Sequence, residues 1–271
     1  MKAYENINKL YQLIETKTAA PFEGPYKVGV DLGTADVVLV VTDSHGNPVA
    51  GSMRWASVVK DGLVVDFRGA MNIVAELKAE VEQIMGVALE KGATAIPPGT
   101  VGRNAEACSH VIAGADLEPV CQVDEPVAAA KALQIEDGIV VDIGGGTTGI
   151  AVLKQGQVIF SEDEPTGGTH VSLVLGGAFN ISFEDAELMK KDFQNHSKIM
   201  PVIRPVIEKM ATIVNRMLEG KGEYVEYPVY VVGGTAYLDG FADVFSSAFG
   251  RKVEVPPHPL LVTPLGIAMF G

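Results

Sequence analysis

Two short stretches of the chain carry residue types that bind and position charge. Residues 28–36 read V-G-V-D-L-G-T-A-D and residues 140–148 read V-V-D-I-G-G-G-T-T. In each, an apolar run ends on an aspartate, a small-residue turn follows, and a second β-rich run comes next. That pattern predicts a buried strand, a tight turn and a strand returning beside it. Gly33 in one copy and Gly144, Gly145 and Gly146 in the other allow positive φ and close backbone approach to a ligand. Successive N–H groups around such a turn converge on one spot, and that concavity suits a phosphate. Asp31 and Asp142 stand at the ends of the buried strands, where a carboxylate is costly without a cation nearby. A hydrated Mg²⁺ carried in with a nucleotide would supply one. Two such hairpins predict two similar halves closing on a single nucleotide.

The elements that must hold these turns read as an α/β chain. An amphipathic helix is expected over 3–15, with Tyr4, Ile7, Leu10, Tyr11, Leu13 and Ile14 at helical spacing, ahead of a breaker-rich segment at 18–25. Two destinations are open to it: packing on its own domain, which is the usual fate of such a stripe, or docking on a partner. Strands follow over 28–33, 36–42 and 48–54 as a meander, then a short strand near 63–65 and a long helix carrying Ile73, Leu77, Val81, Ile84 and Ala88. A strand at 93–96, a helix at 103–113, a strand at 117–123 and a helix at 125–133 complete the first half. The second half repeats the order, with strands at 138–143, 148–154 and 157–164 and a helix opening at Gly167. A capping box at Ser182–Asp185 starts the next helix. A long helix over 198–219, a strand at 228–232, a helix at 236–248, a strand at 251–255 and a last helix at 263–269 follow.

Composition narrows the function. The net charge of −13 offers no basic stripe to nucleic acid and disfavours an anionic membrane surface. Cys108 and Cys121 lack metal or redox spacing and read as reduced core thiols. His45 and His170 have no ligand partners at metal spacing, so zinc is not expected. Neither a signal peptide nor a membrane-length apolar stretch is legible, so the expected location is cytoplasmic.

Five ordered motifs resemble those of the actin-like ATPase superfamily, which includes the DnaK-type chaperones, the bacterial actins and the sugar kinases. They are the phosphate motifs at 28–36 and 140–152, D-E-P-V-A-A-A at 124–130, V-V-G-G-T-A at 231–236 and V-T-P-L-G-I-A at 262–268. Within the superfamily, A-S-V-V-K-D-G-L-V-V-D-F at 56–67, P-P-G-T at 97–100 and I-S-F-E-D-A-E at 181–187 resemble the small chaperone-like proteins of bacterial ethanolamine utilisation. The resemblance implies two duplicated ribonuclease H-like domains, each a mixed five-stranded sheet flanked by helices. It sets 1–27 as a helix and linker, 28–137 as the first domain, 138–257 as the second, and 258–271 as a helix returning to the first.

By the same resemblance ATP and Mg²⁺ are the cofactors. Asp31 and Asp142 would orient the hydrated metal, and Gly33, Thr34, Gly144, Gly145, Gly146, Thr147 and Thr148 would hold phosphates. Glu125 would lie near the hydrolytic water, with a helix N-terminal carboxylate as the plainer reading. Glu187 and Lys190 would meet ribose and base, or form a solvated i, i+3 pair. Gly233, Gly234 and Thr235 would face the nucleoside, with Tyr237 stacking on the base or packed in the core. The implied role is chaperone-like, with weak ATP hydrolysis switching a partner: an ethanolamine-pathway enzyme or a microcompartment shell protein. The alternative is a nucleotide-dependent assembly or filament protein without significant turnover. Two departures stand out. The helix bearing A-E-L-M-K runs almost directly into the next long helix, so the outer subdomain of the second half is expected to be reduced or absent. The catalytic lysine of the chaperones has no counterpart that the sequence identifies.

Overall fold

The computed structural model describes residues 2–60, 62–224 and 226–271. In chain order its elements are α1 (Lys2–Thr16), β1 (Tyr26–Leu32), β2 (Asp36–Asp43), β3 (Pro48–Trp55), a ribbon of β4 (Val59–Lys60) and β5 (Leu63–Val64), α2 (Phe67–Met85), β6 (Lys91–Ile96), α3 (Arg103–Gly114), β7 (Glu118–Asp124) and α4 (Glu125–Leu133). After these come β8 (Gly138–Ile143), β9 (Thr148–Lys154), β10 (Gln157–Glu164), α5 (Gly168–Phe179), α6 (Phe183–Lys191), α7 (His196–Met217), β11 (Val229–Val232), α8 (Phe241–Phe249) and α9 (Val262–Ala268).

Local chemistry explains where these elements start and stop. The Asp66 carboxylate caps α2 by accepting from the Gly69 N–H at 2.8 Å, and Gly86 ends it in the left-handed region. Ala70, Val74, Leu77 and Val81 form the buried stripe between those ends. The Ser182 hydroxyl accepts from the Asp185 N–H at 3.0 Å and starts α6 as the capping box predicts.

The duplication is visible in topology. One sheet has the order β3-β2-β1-β6-β7 and the other β10-β9-β8-β11. In both, a three-stranded antiparallel meander joins a parallel addition on the far side of its first strand. The second sheet has four strands where five are expected. Residues 251–255 contribute one parallel bridge, Tyr230 to Glu254, before Pro256-Pro257 withdraw the N–H groups that further pairing needs. The expected helix at 236–248 is also divided: a 3₁₀ turn at Gly234–Tyr237 precedes α8, with Gly240 in the left-handed region between them. Only Asp192–Asn195 separate α6 from α7, so no subdomain stands there.

Each sheet has its own apolar core, and a third cluster lies between them. It gathers Val38 and Val40 of β2, Ala129, Ala130 and Leu133 of α4, Val140 of β8, and Val262, Leu265 and Ala268 of α9. At the α4–α9 crossing, a Cβ on Gly266 would sit 1.8 Å from the Ala128 carbonyl oxygen. Ile7 and Leu10 of α1 are fully buried in the same cluster. The N-terminal helix therefore does more than pack on one sheet. It lies along β3 and also reaches the second half, where the Tyr4 hydroxyl donates to Glu254. Cys108 is buried, and burial pushes its thiol up to about 12, which keeps it an inert core residue. None of the helices among the described residues is long and apolar enough to cross a membrane.

Candidate functional site

A cleft of about 620 Å³ opens between the two sheets. Its inner end is made by the β1–β2 and β8–β9 turns, which face each other. A Cβ on Gly145 would lie 3.2 Å from Thr34 Cβ and 3.3 Å from Ala35 Cβ, so glycine is what lets the two turns meet. The second turn is tied from behind. The Gly144 carbonyl accepts from the Gly168 N–H at 2.9 Å and the Thr235 hydroxyl at 2.8 Å, and the Gly145 carbonyl accepts from the Thr169 N–H at 2.8 Å. The Gly144 N–H is engaged by the Thr147 carbonyl at 3.1 Å, so the amides the turn can offer an anion are those of Gly145 and Gly146.

Carboxylates dominate the floor. Asp31, Asp36, Glu125 and Asp142 all line the cleft, and Asp163 of β10 stands behind them, opposite Gly149 in the strand register. Burial raises Asp36, Asp142 and Asp163 to about 6. Burial and the charges of neighbouring carboxylates hold Asp31 and Glu125 well above the usual range. The Thr263 hydroxyl of α9 donates to Asp142 at 2.5 Å and partly offsets its burial. One carboxylate oxygen of Asp163 is buried without a hydrogen-bond partner. This donor set fits a divalent cation. Among the described residues no three His, Cys, Asp or Glu side chains converge closely enough to bind a bare metal ion. A cation here would have to be held through its own water shell rather than by direct ligation.

The raised pKa values have a consequence for the ligand-free protein. Between about pH 4 and pH 7 these folded carboxylates hold protons that the unfolded chain has already lost. Stability must then fall as pH rises through that window. Thermal unfolding without divalent cation is expected to show a lower midpoint at pH 7 than at pH 5, with millimolar Mg²⁺ and ATP narrowing the difference. A midpoint that climbs from pH 5 to pH 7 would show that the cluster is not strained.

Two lysines line the opposite wall. Lys190 donates to the Gly168 carbonyl at 3.1 Å, the Ser172 hydroxyl at 2.9 Å and Glu187 at 2.5 Å, so the Glu187–Lys190 pair is part of a partly buried network. Lys191 places its Nζ 3.9 Å from the ring centroid of Trp55, across the cleft mouth on β3. Trp55 is the chain's single tryptophan and is 55% exposed.

The structure thus gathers Asp31, Asp142, Glu125, Gly33, Thr34, Gly144, Gly145, Gly146, Thr147, Glu187, Lys190, Gly233, Gly234 and Thr235 around one cavity. Thr148 is the exception. It is fully buried, and its hydroxyl donates to the Thr166 carbonyl at 2.5 Å, outside the cleft. Thr148 is the first residue of β9, and its side chain faces the Thr166 carbonyl rather than the cleft. Residues the sequence reading gave no role are Asp36, Lys191, Thr263, Asp163, Tyr11 and His258. Asp36 and Thr263 lay inside quoted motifs. Lys191 directly follows the quoted A-E-L-M-K, Tyr11 was read only as part of the helix stripe, and Asp163 and His258 come from elements distant in sequence.

Against known proteins, the chain is 45% identical over 256 residues to the ethanolamine utilization protein EutJ of Escherichia coli (strain K12), covering 94% of this chain and 89% of that one. The chain belongs to the EutJ family. A crystal structure of EutJ from Carboxydothermus hydrogenoformans superposes with a TM-score of 0.95 at 64% identity, covering 100% of this chain and 99% of that one. The family models of the cell division protein FtsA and of the MreB/Mbl proteins match residues 139–265 and 48–175. MreB 5 of Spiroplasma citri, in a crystal structure bound to AMPPNP, shares the fold with a TM-score of 0.71 at 19% identity, over 92% of this chain and 96% of that one. The fold of this EutJ-family chain is thus the actin-like ATPase fold, with the second half trimmed at the α6–α7 junction.

Proposed function

We propose that this protein binds Mg·ATP in the cleft and uses its occupancy to switch the affinity of a protein partner in ethanolamine utilisation. The observation that carries the reading is the pairing of two aspartate–glycine turns across a floor of buried carboxylates. The phosphates would lie on the turn amides, with Asp31 and Asp142 orienting the hydrated metal. Bound there, the metal would neutralise the phosphates and the floor together. Glu187 and Lys190 would contact the ribose, and Gly233, Gly234 and Thr235 would approach the nucleoside. Residues 28–137 and 138–257 would move as two units about the α4–α9 crossing, the hinge motion of ligand-closed clefts. The segment 1–27 would precede them, and 258–271 would close back on the first. The role is chaperone-like, the expected setting is the cytoplasm beside a microcompartment, and the partner class is a pathway enzyme or shell protein.

Glu125 is the residue for positioning a water at the terminal phosphate. Burial and the charges of Asp142 and Asp31 push its carboxyl well above the usual carboxylate range, and a cation bound beside it would draw it back toward the base form. That dependence favours a slow enzyme, and it equally supports a second reading, a nucleotide-held assembly protein without turnover. Calorimetric titration with Mg·ATP, read in parallel by Trp55 fluorescence, tests binding; phosphate release tests turnover. Wild-type protein is expected to bind and to change its tryptophan emission as Lys191 leaves the ring. Glu125→Gln is expected to keep binding within about threefold and to lower phosphate release by about 100-fold, within the usual range for a lost acid–base group. No heat and no emission change in the wild type would end the nucleotide reading. Binding without phosphate release, together with ATP-dependent light scattering, would favour assembly.

A further inference from the structure

Besides the carboxylates and glycines, the cleft is lined by a row of rings. Tyr11 of α1 stacks on His258 with ring centroids 3.8 Å apart and planes 9° from parallel. The Tyr237 hydroxyl is hydrogen-bonded to His258 Nδ1, and Phe193 meets the Tyr237 ring edge-on at 5.7 Å. All four side chains line the same cleft as the aspartate–glycine turns. The row begins on the N-terminal helix and ends at Phe193, in the short α6–α7 junction.

We propose that Tyr11 is a positioning residue of the ligand cleft: through His258 and Tyr237, the N-terminal helix supplies the aromatic wall that receives the nucleoside base. The inference rests on the reading of the cleft as a nucleotide site and adds an element that the two duplicated halves do not contain. The geometry is specific. With the phosphates fixed at the turns, the base of the same molecule has to lie away from them in the cavity, and the ring row is an aromatic surface that the lining offers it. Tyr237 ends the 3₁₀ turn that begins at Gly234, so its ring lines the cleft beside the residues expected to face the nucleoside.

His258 is held rather than free. Its backbone is in the left-handed region at φ 45°, uncommon for a residue with a side chain, and the stack with Tyr11 fixes its ring face. Burial lowers its pKa, which keeps the imidazole neutral and its stacking face uncharged. α1 is itself fixed, because Ile7 and Leu10 are buried in the cluster between the halves and Tyr4 donates to Glu254 of the second half. The stack thus connects a rigid base to a cavity wall.

Calorimetric titration of the full chain with Mg·ATP and with Mg·tripolyphosphate separates a base wall from a phosphate grip. Removing one aromatic pair is expected to weaken binding by about three- to tenfold. Tyr11→Ala should therefore lose three- to tenfold in affinity for Mg·ATP and nothing for Mg·tripolyphosphate. Tyr11→Phe should restore wild-type binding, since the stack needs the ring and not the hydroxyl. His258→Asn, which tolerates the left-handed backbone but has no ring, should reproduce the ATP-specific loss. Unchanged ATP affinity in Tyr11→Ala, or equal losses for both ligands, would overturn the assignment and leave α1 a purely structural brace. A wild-type protein that binds neither ligand would instead overturn the nucleotide reading beneath it, and a wild-type protein that binds both equally would overturn the base wall alone.

Discussion

Asp31→Asn is expected to weaken Mg·ATP binding by about 10- to 100-fold, the usual loss when a residue orienting a metal's ligands is removed, while raising the melting temperature of the ligand-free protein. Both effects have one cause. Asp31 is surrounded by burial and by the charges of Asp36 and Asp142, so its ionised form is unfavourable until a cation arrives. An amide of the same shape removes that repulsion and with it the attraction for the metal, a trade common at binding sites. Asp142→Asn is expected to lose binding to the same degree with a smaller gain in stability. Its carboxylate accepts a hydrogen bond from Thr263 that an amide cannot match in strength. Differential scanning fluorimetry with and without Mg·ATP reads both quantities in one series. Wild-type affinity in both variants would mean that the aspartates do not face the bound metal, and the cleft would need another explanation.

The second large effect lies at the α4–α9 crossing. Gly266→Ala is expected to lower stability by about 3 kcal/mol or more, or about 6–12 °C in melting temperature. The added Cβ would meet the Ala128 carbonyl oxygen at 1.8 Å, and backbone cannot turn aside as a flexible side chain can. The helices would have to part. That separation would also shift function, because Glu125 opens α4 and Thr263 lies on α9, so the crossing sets the spacing of two groups on the cleft floor. Gly177→Ala is the control. Gly177 lies inside α5 with nothing within 4 Å of its added Cβ, and the change is expected to stabilise by about 0.5–1 kcal/mol. Thermal unfolding of the two variants side by side tests the contact. A Gly266→Ala protein melting within about 2 °C of wild type would show that the helices do not meet there.

Several elements of the site were legible without coordinates because their causes are local. The strands at 138–143, 148–154 and 157–164 have the expected bounds, since turn glycines and a period-two pattern mark them from both sides. The strand at 251–255 was not, because its pairing depends on what the following prolines leave available. The helix expected at 236–248 failed for a similar reason: one apolar pattern runs through Gly240, whose left-handed backbone breaks it. Thr148 shows the limit at the scale of one residue. Its type matched a phosphate-holding turn, but as the fully buried first residue of β9 it gives its hydroxyl to the Thr166 carbonyl.

What the sequence by itself determined is the chemistry of the two aspartate–glycine turns, because the turn and the strand that precedes it are set by neighbours within a few residues. It also determined that there are two of them, and that little separates α6 from α7. Only the tertiary structure decided what faces the turns. Lys191 meets Trp55 from a strand more than a hundred positions away, Asp163 stands behind Asp142 because β10 pairs with β9, and Tyr11 reaches His258 because Ile7 and Leu10 bury α1 between the halves. These contacts have no sequence period to announce them. They follow from the packing of complete faces, which is settled only when both sheets and the helix between them are in place.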